Sequence, residues 1–593
     1  MQRKQFQPLT WPALIQTLAE KNFSLEAITA LINEKRFPSY YNSLQLSDFD
    51  VTKSKHFLET IVDRLIEANT QQCLGYSRLS FLVCGVVRGN LPLFEENTFN
   101  RLLQLFLSID TLPPNSEHSY AVATALSSLL YLRPVDLKSG HFSLDNDPST
   151  TNSDLLGRHQ GKMCLEKLAS IFEYGRVEIK TEISCLHAVI QLLVHRTFLQ
   201  CNSTQTETLS CISRIVKAIW PIAFILNRQT VGYTSGSNSS YGPSSASDLS
   251  DGWCGDFSES ERPIIVNKKK ARQMATYCLR SLLASKQVCH EIWSKNFGDK
   301  QYLQSSLLFA ISREQDPSLR EKFISILITV LKNLEISFTV AEELPNRDSA
   351  SYISYSVRLA NELREMHQSL HGALINEKVT KNQLGLLKAI GTLVSVTPYH
   401  RLQPGLLTGL INKTSAFLKN FQNDPVKFAN LQVKILAIWS NILNKKNLTP
   451  ELRSLITSKL DPVIFTGFQM PQRSSCWLID LCLRILSESK FSTLRSQAAS
   501  LLRSFVSMHF NLFHPFMDAV KAVIRQNLPP RKEDPVSTTL NILILCDTML
   551  THQFDCLEKG RLSTLFTDCE WWYDLMGTLL DFASVCLLIY SLY

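Results

Sequence analysis

The sequence predicts an all-α fold, an α-solenoid of stacked helix pairs, on three observations. Apolar residues recur at steps of three and four from end to end, and alternating Val, Ile and Thr runs bounded by turn dipeptides are almost absent. At 593 residues the chain is too long for one compact core. One construction also recurs: a tight turn opens a helix, a basic residue sits in its first turn, and small and apolar residues follow at helical spacing. Asp316-Pro317-Ser318-Leu319-Arg320 precedes Phe323, Ile324, Ile326 and Leu327; Asp424-Pro425-Val426-Lys427 precedes Phe428, Leu431, Ile435, Ile438 and Trp439; Ser492-Thr493-Leu494-Arg495 precedes Ala498, Leu501, Leu502 and Phe505.

Each part of that turn has a physical reason. Asp or Ser ahead of a helix accepts hydrogen bonds from its first, otherwise unpaired N–H groups. Pro at the first helical position sacrifices no useful donor and brings its φ already set. The spacing is that of the second helix of a HEAT or armadillo-like repeat, and pairs repeating every 35–50 or so residues extend naturally into a long array.

Three regions follow along the chain. Residues 1–228 read as an N-terminal helical repeat region, with helices near 58–66, 102–107, 119–132 (ended by Pro134), 162–174, 181–201 and 206–226, and a polar stretch at 136–160 expected to be a long loop. Residues 229–262, rich in Ser, Gly and acidic groups, hold too few apolar side chains to offset the entropy of ordering them. They read as a disordered linker dividing two arrays. Residues 263–593 read as the second array, with helices near 271–285, 301–312, 317–334, 350–374, 380–396, 402–420, 425–443, 449–458, 474–488, 492–508, 512–526, 536–551 and 571–593.

Within the linker, Ser247 and Ser250 each precede Asp, and Ser258 and Ser260 each precede Glu, surroundings that acid-directed kinases favour. Lys268, Lys269, Lys270 and Arg272 follow, a basic patch that serves either as an anion-binding or import signal or as the wet face of a helix. Asp316, Pro317, Arg320, Asp424, Pro425 and Arg495 are assigned structural roles in the repeat turns, with both arginines bonding nearby turn carbonyls or carboxylates.

The net charge of +8 is unevenly placed: residues 263–593 hold 38 basic and 27 acidic residues, net +11. The positive residues are dispersed along the chain, which argues against nucleic acid as partner. The 15 cysteines form no Cys-x-x-Cys, and Cys185, Cys211, Cys278 and Cys546 fall in helical stretches, where reduced thiols pack as small hydrophobes. That usage implies a reducing, intracellular setting in cytoplasm or nucleus. At the C-terminus Asp581 limits the apolar run to 582–593, short of the ~20 residues a membrane helix needs. Leu575, Leu579, Leu580 and Phe582 are therefore expected to pack as a soluble helix.

No phosphate loop, dinucleotide-binding glycine motif or nucleophile elbow is present. His367 and His371 lie four apart on a predicted helix, as in zinc peptidases, but residue 368 is Gln where such enzymes need Glu, so an exposed helix face is expected. The sequence thus predicts no catalytic residues, cofactor or metal.

Residues 244–510 resemble the HEAT repeat-containing protein 6 family. The resemblance is carried by the Ser-Asp-x-Ser-Asp element at 247–251, the Asp316-Pro317-Ser318 turn with Arg320, Val396-Thr397-Pro398-Tyr399-His400-Arg401-Leu402 with Leu406-Leu407, and Cys476-Trp477-Leu478-Ile479-Asp480-Leu481-Cys482. It implies an α-solenoid with no catalytic residues to carry over. Family members continue into further repeats, so the resemblance also implies an array cut short at Tyr593. The functional expectation is a scaffold or adaptor binding protein partners, with a transport-receptor-like carrier or a nucleic-acid-associated solenoid as alternatives.

Overall fold

The structure is a computed structural model. It describes residues 96–109, 116–131, 153–173, 179–194, 205–224, 262–296, 304–343, 355–421, 425–460, 476–528 and 535–558, with isolated positions on either side. Every regular element among the described residues is helical. Two compact units are formed, Met1–Ser306 and Leu307–Tyr593.

In the first unit, α1 (Glu96–Ser108), α3 (Ser153–Glu173), α5 (Gln205–Phe224) and α7 (Lys286–Asn296) pack as one row, and α2 (Ser116–Tyr131), α4 (Ile179–Val194) and α6 (Arg262–Leu283) as the other. Each helix also packs on its sequence neighbour across the rows, as in α1 with α2 and α3 with α4. The fully buried Ala121, Val122, Ala125 and Leu126 of α2 face Leu186, Ala188 and Val189 of α4 in an apolar core. Thr124 Oγ1 donates to Ser184 Oγ at 3.1 Å within it.

The second unit repeats the scheme. After α8 (Gln304–Arg313), which spans the boundary, the second-row helices are α9 (Pro317–Asn333), α12 (Thr380–Val396), α14 (Pro425–Leu443), α17 (Ser492–Met508) and α20 (Val536–Glu558). A short α10 (Glu335–Phe338) follows α9. First-row partners are α11 (Tyr355–Asn376), α13 (Pro404–Phe421), α15 (Pro450–Leu460), α16 (Trp477–Glu488) and α19 (Met517–Asn527); a single turn, α18 (Phe510–Phe513), joins α17 to α19. Packing runs α9–α12–α14–α17–α20 along one row, and α11 on α12, α13 on α14, α16 on α17 and α19 on α20 across the rows. Helix pairs touching only their neighbours in two layers define an α-solenoid.

The units part at Ser306–Leu307, and α6, which begins at Arg262, packs on α4 and α5 within the first unit through a contiguous apolar face, with Ala275, Cys278 and Leu279 fully buried. The polar stretch 136–160 is helical from Ser153 onward. Residues 229–261, with Ser247, Ser250, Ser258 and Ser260, lie outside the described residues, as does Asp424. Nearly all of 571–593 does too.

Candidate interaction face and the turns that hold it

A turn at residues 314–317 leads into α9. Asp316 is the N-cap, its carboxylate accepts from the Ser318 amide at 2.9 Å, and Pro317 is the first helical residue. Arg320, one turn in, donates through Nε to the Glu314 carbonyl at 3.0 Å and pairs with Glu377 at the following repeat turn. Glu377 Oε1 in turn accepts from the amides of Lys378 and Val379 at 2.9 Å each, just ahead of α12. Its pKa is lowered: burial opposes ionisation, but the Val379 amide and the Arg320 guanidinium prevail. Pro425 likewise opens α14.

The third turn departs from expectation. The N-cap of α17 is Phe491, without a side-chain cap bond, and Ser492 is already helical. Arg495 is fully buried, at 0% exposure, in the first turn of α17. Sequence spacing placed the helix correctly but not its cap, because Ser and Thr at 492–493 fit equally well as cap or first-turn residues.

The second-row helices run parallel and are keyed by side chains. Asn382, near the start of α12, donates to the Pro317 carbonyl at the start of α9 (3.2 Å). Lys445, just past the end of α14, donates to the Ser395 and Thr397 carbonyls at the end of α12 (2.5 and 3.0 Å). Between them Asn441 donates to the Gly391 carbonyl (3.1 Å), Ser440 meets Ser504 (3.0 Å), and Asn541 donates to Ser496 (2.6 Å). Gly385 and Gly391 let α12 approach both neighbours: a Cβ on Gly385 would meet Ile324 of α9 at 3.3 Å, and one on Gly391 would meet Ile438 of α14 at 3.5 Å.

The two glycines fix which way α12 faces. Gly385 points to α9 and Gly391 to α14, while the buried Leu386, Leu387, Ile390, Leu393 and Val394 face the first row. Lys381, Lys388, Thr392 and Ser395, at steps of seven, four and three, occupy the remaining side. The same side shows Ser325 and Lys332 on α9, Asn430 and Lys434 on α14, and Thr493 and Ser500 on α17. It is an open, polar face running across four helices.

The His pair contradicts the sequence reading. His367 and His371 are 2% and 5% exposed, not on a wet face. His367 Nε2 lies 3.3 Å from Thr397 Oγ1 and 3.4 Å from the Tyr399 hydroxyl. Burial pushes His367 down to about 3, with His371 and Lys413 adding to the effect, and His371 down to about 4, with Lys413 adding. Polar side chains at three-and-four spacing look solvent-facing in sequence; here the turn 397–402 folds over His367, and His371 is buried beside it. That turn, a 3-10 element at Tyr399–Arg401, bonds back to the segment after α10: Glu343 N donates to the Arg401 carbonyl at 3.0 Å and Gln403 N to Glu343 Oε2 at 2.7 Å. Burial lowers Lys445 to about 8, against an opposing effect of Glu335.

The two motifs that carry the family resemblance are packing devices. Tyr399 and Leu402 are buried. Cys476, Trp477, Leu478, Ile479 and Cys482 are fully buried; Trp477 Nε1 donates to the Lys459 carbonyl at 3.3 Å, and its ring meets Trp439 edge-on at 5.8 Å. In the basic patch, Lys268 and Lys269 are exposed on α6, whereas the Arg272 guanidinium reaches the Ala223 carbonyl near the end of α5 at 3.4 Å. Among the described residues no group of three His, Cys, Asp or Glu side chains could hold a metal, and no helix is long and apolar enough to cross a membrane.

Residues 270–452 match the family described as a domain of unknown function (DUF4042). That stretch takes in α9, α12 and α14, and with them most of the open face. Among solved structures, Kap121p aligns over 96% of this chain at 10% identity and a TM-score of 0.36, and Kap121p bound to Nup53p does so at 0.35. SYS-1 aligns over 96% of this chain and 95% of its own at 12% identity and a TM-score of 0.30. The chain spans 50% of the Kap121p chains. At these scores the likeness carries no argument, and the fold rests on the helix packing above.

Proposed function

We propose that this protein is a non-catalytic solenoid scaffold or adaptor that binds protein partners, working inside the cell. The observation that supports it is the open side of the second-row layer. The opposite side of α12, α14 and α17 is buried against the first row and that of α9 is buried as well, while this side presents a continuous polar strip to solvent. Linear arrays suit extended partners because each repeat adds one step of surface. The resemblance to the HEAT repeat-containing protein 6 family supports the same architecture and adds no chemistry. Phosphorylation of Ser247, Ser250, Ser258 and Ser260 belongs to this reading as a way to add charge beside the array, and Lys268 and Lys269 as an exposed anion-binding pair on α6.

A carrier of basic cargo is less well supported, since such cargo needs acidic surface, and α12, α14 and α17 contain no acidic residue. The test is site-specific photocrosslinking in cells, with the crosslinker at Thr392 on the open face or at Arg453 on first-row α15. Protein adducts concentrated at Thr392 are expected. Equal labelling at both positions, or none at Thr392, would remove the reading.

A further inference from the structure

Four successive second-row helices of the second unit are nearly free of acidic residues. Second-row helices α9, α12, α14 and α17 hold nine basic residues and one acidic residue, Glu321. First-row helices α11, α13, α15, α16 and α19 also hold nine basic residues, but six acidic ones. With α20 included the second row holds four acidic residues, so the scarcity of acidic groups belongs to α9, α12, α14 and α17 and not to the row as a whole. Of the second-row cations, Arg320 is committed to the repeat turn and Arg495 to the core. Lys332, Lys381 and Lys388 are exposed on the open face or its edge, and Lys434 and Arg503 are half-buried at its margins. Glu321 lies 2.8 Å from Lys381, so the single acidic residue is partly offset where it occurs. The face ends at α20, which carries Asp547, Asp555 and Glu558 and no basic residue.

Helix spacing sets the period of a matching ligand. Packed helices lie about 8–10 Å apart. A polyproline-type extended chain rises about 3.1 Å per residue with three residues per turn, so every third side chain returns to the same side after about 9 Å. An extended chain laid across the row therefore presents one side chain to each helix at every third residue, and four helices take a segment of about ten residues. Thr392, Asn430 and Gln497, none of them buried, stand between the cations and can bond a peptide backbone. Nucleic acid fits less well: single strands are held by aromatic platforms as well as charge. Of the large aromatics of these helices Phe323, Trp439 and Phe505 are fully buried, and the half-buried Phe428 alone cannot form a stacking platform.

We propose that the open face of α9, α12, α14 and α17 binds an acidic protein segment in an extended, three-residue-per-turn conformation, with a carboxylate at every third position. This rests on the scaffold reading and narrows it to one class of partner.

The experiment uses the full chain and fluorescence anisotropy. The probe is a labelled peptide of Glu-Pro-Ser repeats, about twelve residues long, beside an isomer with its glutamates contiguous and an oligouridylate of similar charge. The repeat peptide should bind more tightly than its isomer and than the oligouridylate. K388E/K434E should weaken it at least about tenfold, and R453E on the first row should leave it unchanged. Circular dichroism establishes that the variants are folded; should the double reversal unfold the unit, K388A and K332A, each expected to weaken binding about threefold, take its place. Failure of the folded protein to bind the repeat peptide overturns the proposal. So does equal loss in R453E, or tighter, steeply salt-dependent binding of oligouridylate that K388E/K434E abolishes. Crosslinking at Thr392 to a partner without an acidic segment would end this proposal and leave the scaffold reading standing.

Discussion

The Arg320 guanidinium meets the Glu377 carboxylate across two successive repeat turns, and the same carboxylate collects the amides that open α12. One side chain thus ties the cap of one repeat to the first turn of the one before it. Removing one partner of a buried pair leaves the other charge uncompensated, which typically costs about 3–5 kcal/mol. Because Arg320 retains some solvent contact, E377A is expected to lower the stability of the second unit by about 3 kcal/mol, and E377Q by less. Urea unfolding followed by tryptophan fluorescence measures both. A loss of less than about 1 kcal/mol for E377A would show that the pair is incidental.

The buried histidines make a prediction about pH. In the unfolded chain His367 and His371 titrate near the ordinary value of 6.5, while folding lowers them to about 3 and about 4. Between those limits the unfolded state binds more protons, so stability is full above about pH 6.5 and declines as pH falls toward 4. The groups around the pair are Lys413, Tyr399 and Thr397, and none supplies a negative charge to favour imidazolium. H367F/H371L should flatten this part of the curve. Thermal melts of both proteins between pH 7 and 5 test it, and an unchanged slope would contradict the burial.

Close approach of α9 and α12 should make Gly385 sensitive to size. G385V drives a branched side chain into Ile324, already 3.3 Å from an added Cβ, and should cost about 1–3 kcal/mol. G391A adds a methyl at ordinary contact distance and replaces a helical glycine, so it should be neutral or slightly stabilising. N441A removes the bond to the Gly391 carbonyl and should cost about 1 kcal/mol. Denaturation midpoints should rank G391A highest, N441A next and G385V lowest.

Thiol reactivity offers a check on both units. Cys164, Cys289, Cys476 and Cys546 are pushed up to about 12, chiefly by burial, and Cys185, Cys278 and Cys482 are raised as well. Because the thiolate is the reactive form, these seven should resist iodoacetamide in the native protein and react in urea. Peptide mass spectrometry reads each site, and rapid native labelling of Cys482 would mean that the Cys-Trp-Leu-Ile core is not closed.

The helices were legible in the sequence wherever an apolar period was sustained over four or more turns. Residues 317–334, 380–396, 425–443 and 492–508 match α9, α12, α14 and α17 to within a residue. Their periods depend on residues three and four apart, and α9 adds a local start: Asp316 caps Ser318 two residues on, and Pro317 sets its own φ. Where the signal was compositional it misled. The polar letters of 153–160 concealed the first turns of α3, and α7 at Lys286–Asn296 went unread because Lys, Gln, Glu and Ser interrupt its apolar stripe.

By itself, then, the sequence determined an all-α chain of helix pairs; that the segments around Tyr399 and Trp477 are packing devices came only from the structure. It did not determine which side of each helix would be wet. His367 and His371 read as exposed until packing buried both, His367 under the turn at Tyr399, and Lys332, Lys381, Lys388 and Lys434 read as scattered until α9, α12 and α14 placed them on one face. Helix formation is governed by contacts three and four residues away, which a linear pattern displays. Burial and charge alignment are set by residues about 50 to 65 apart, such as Asn441 with Gly391 and Asn382 with Pro317, and only the packed repeats bring those together.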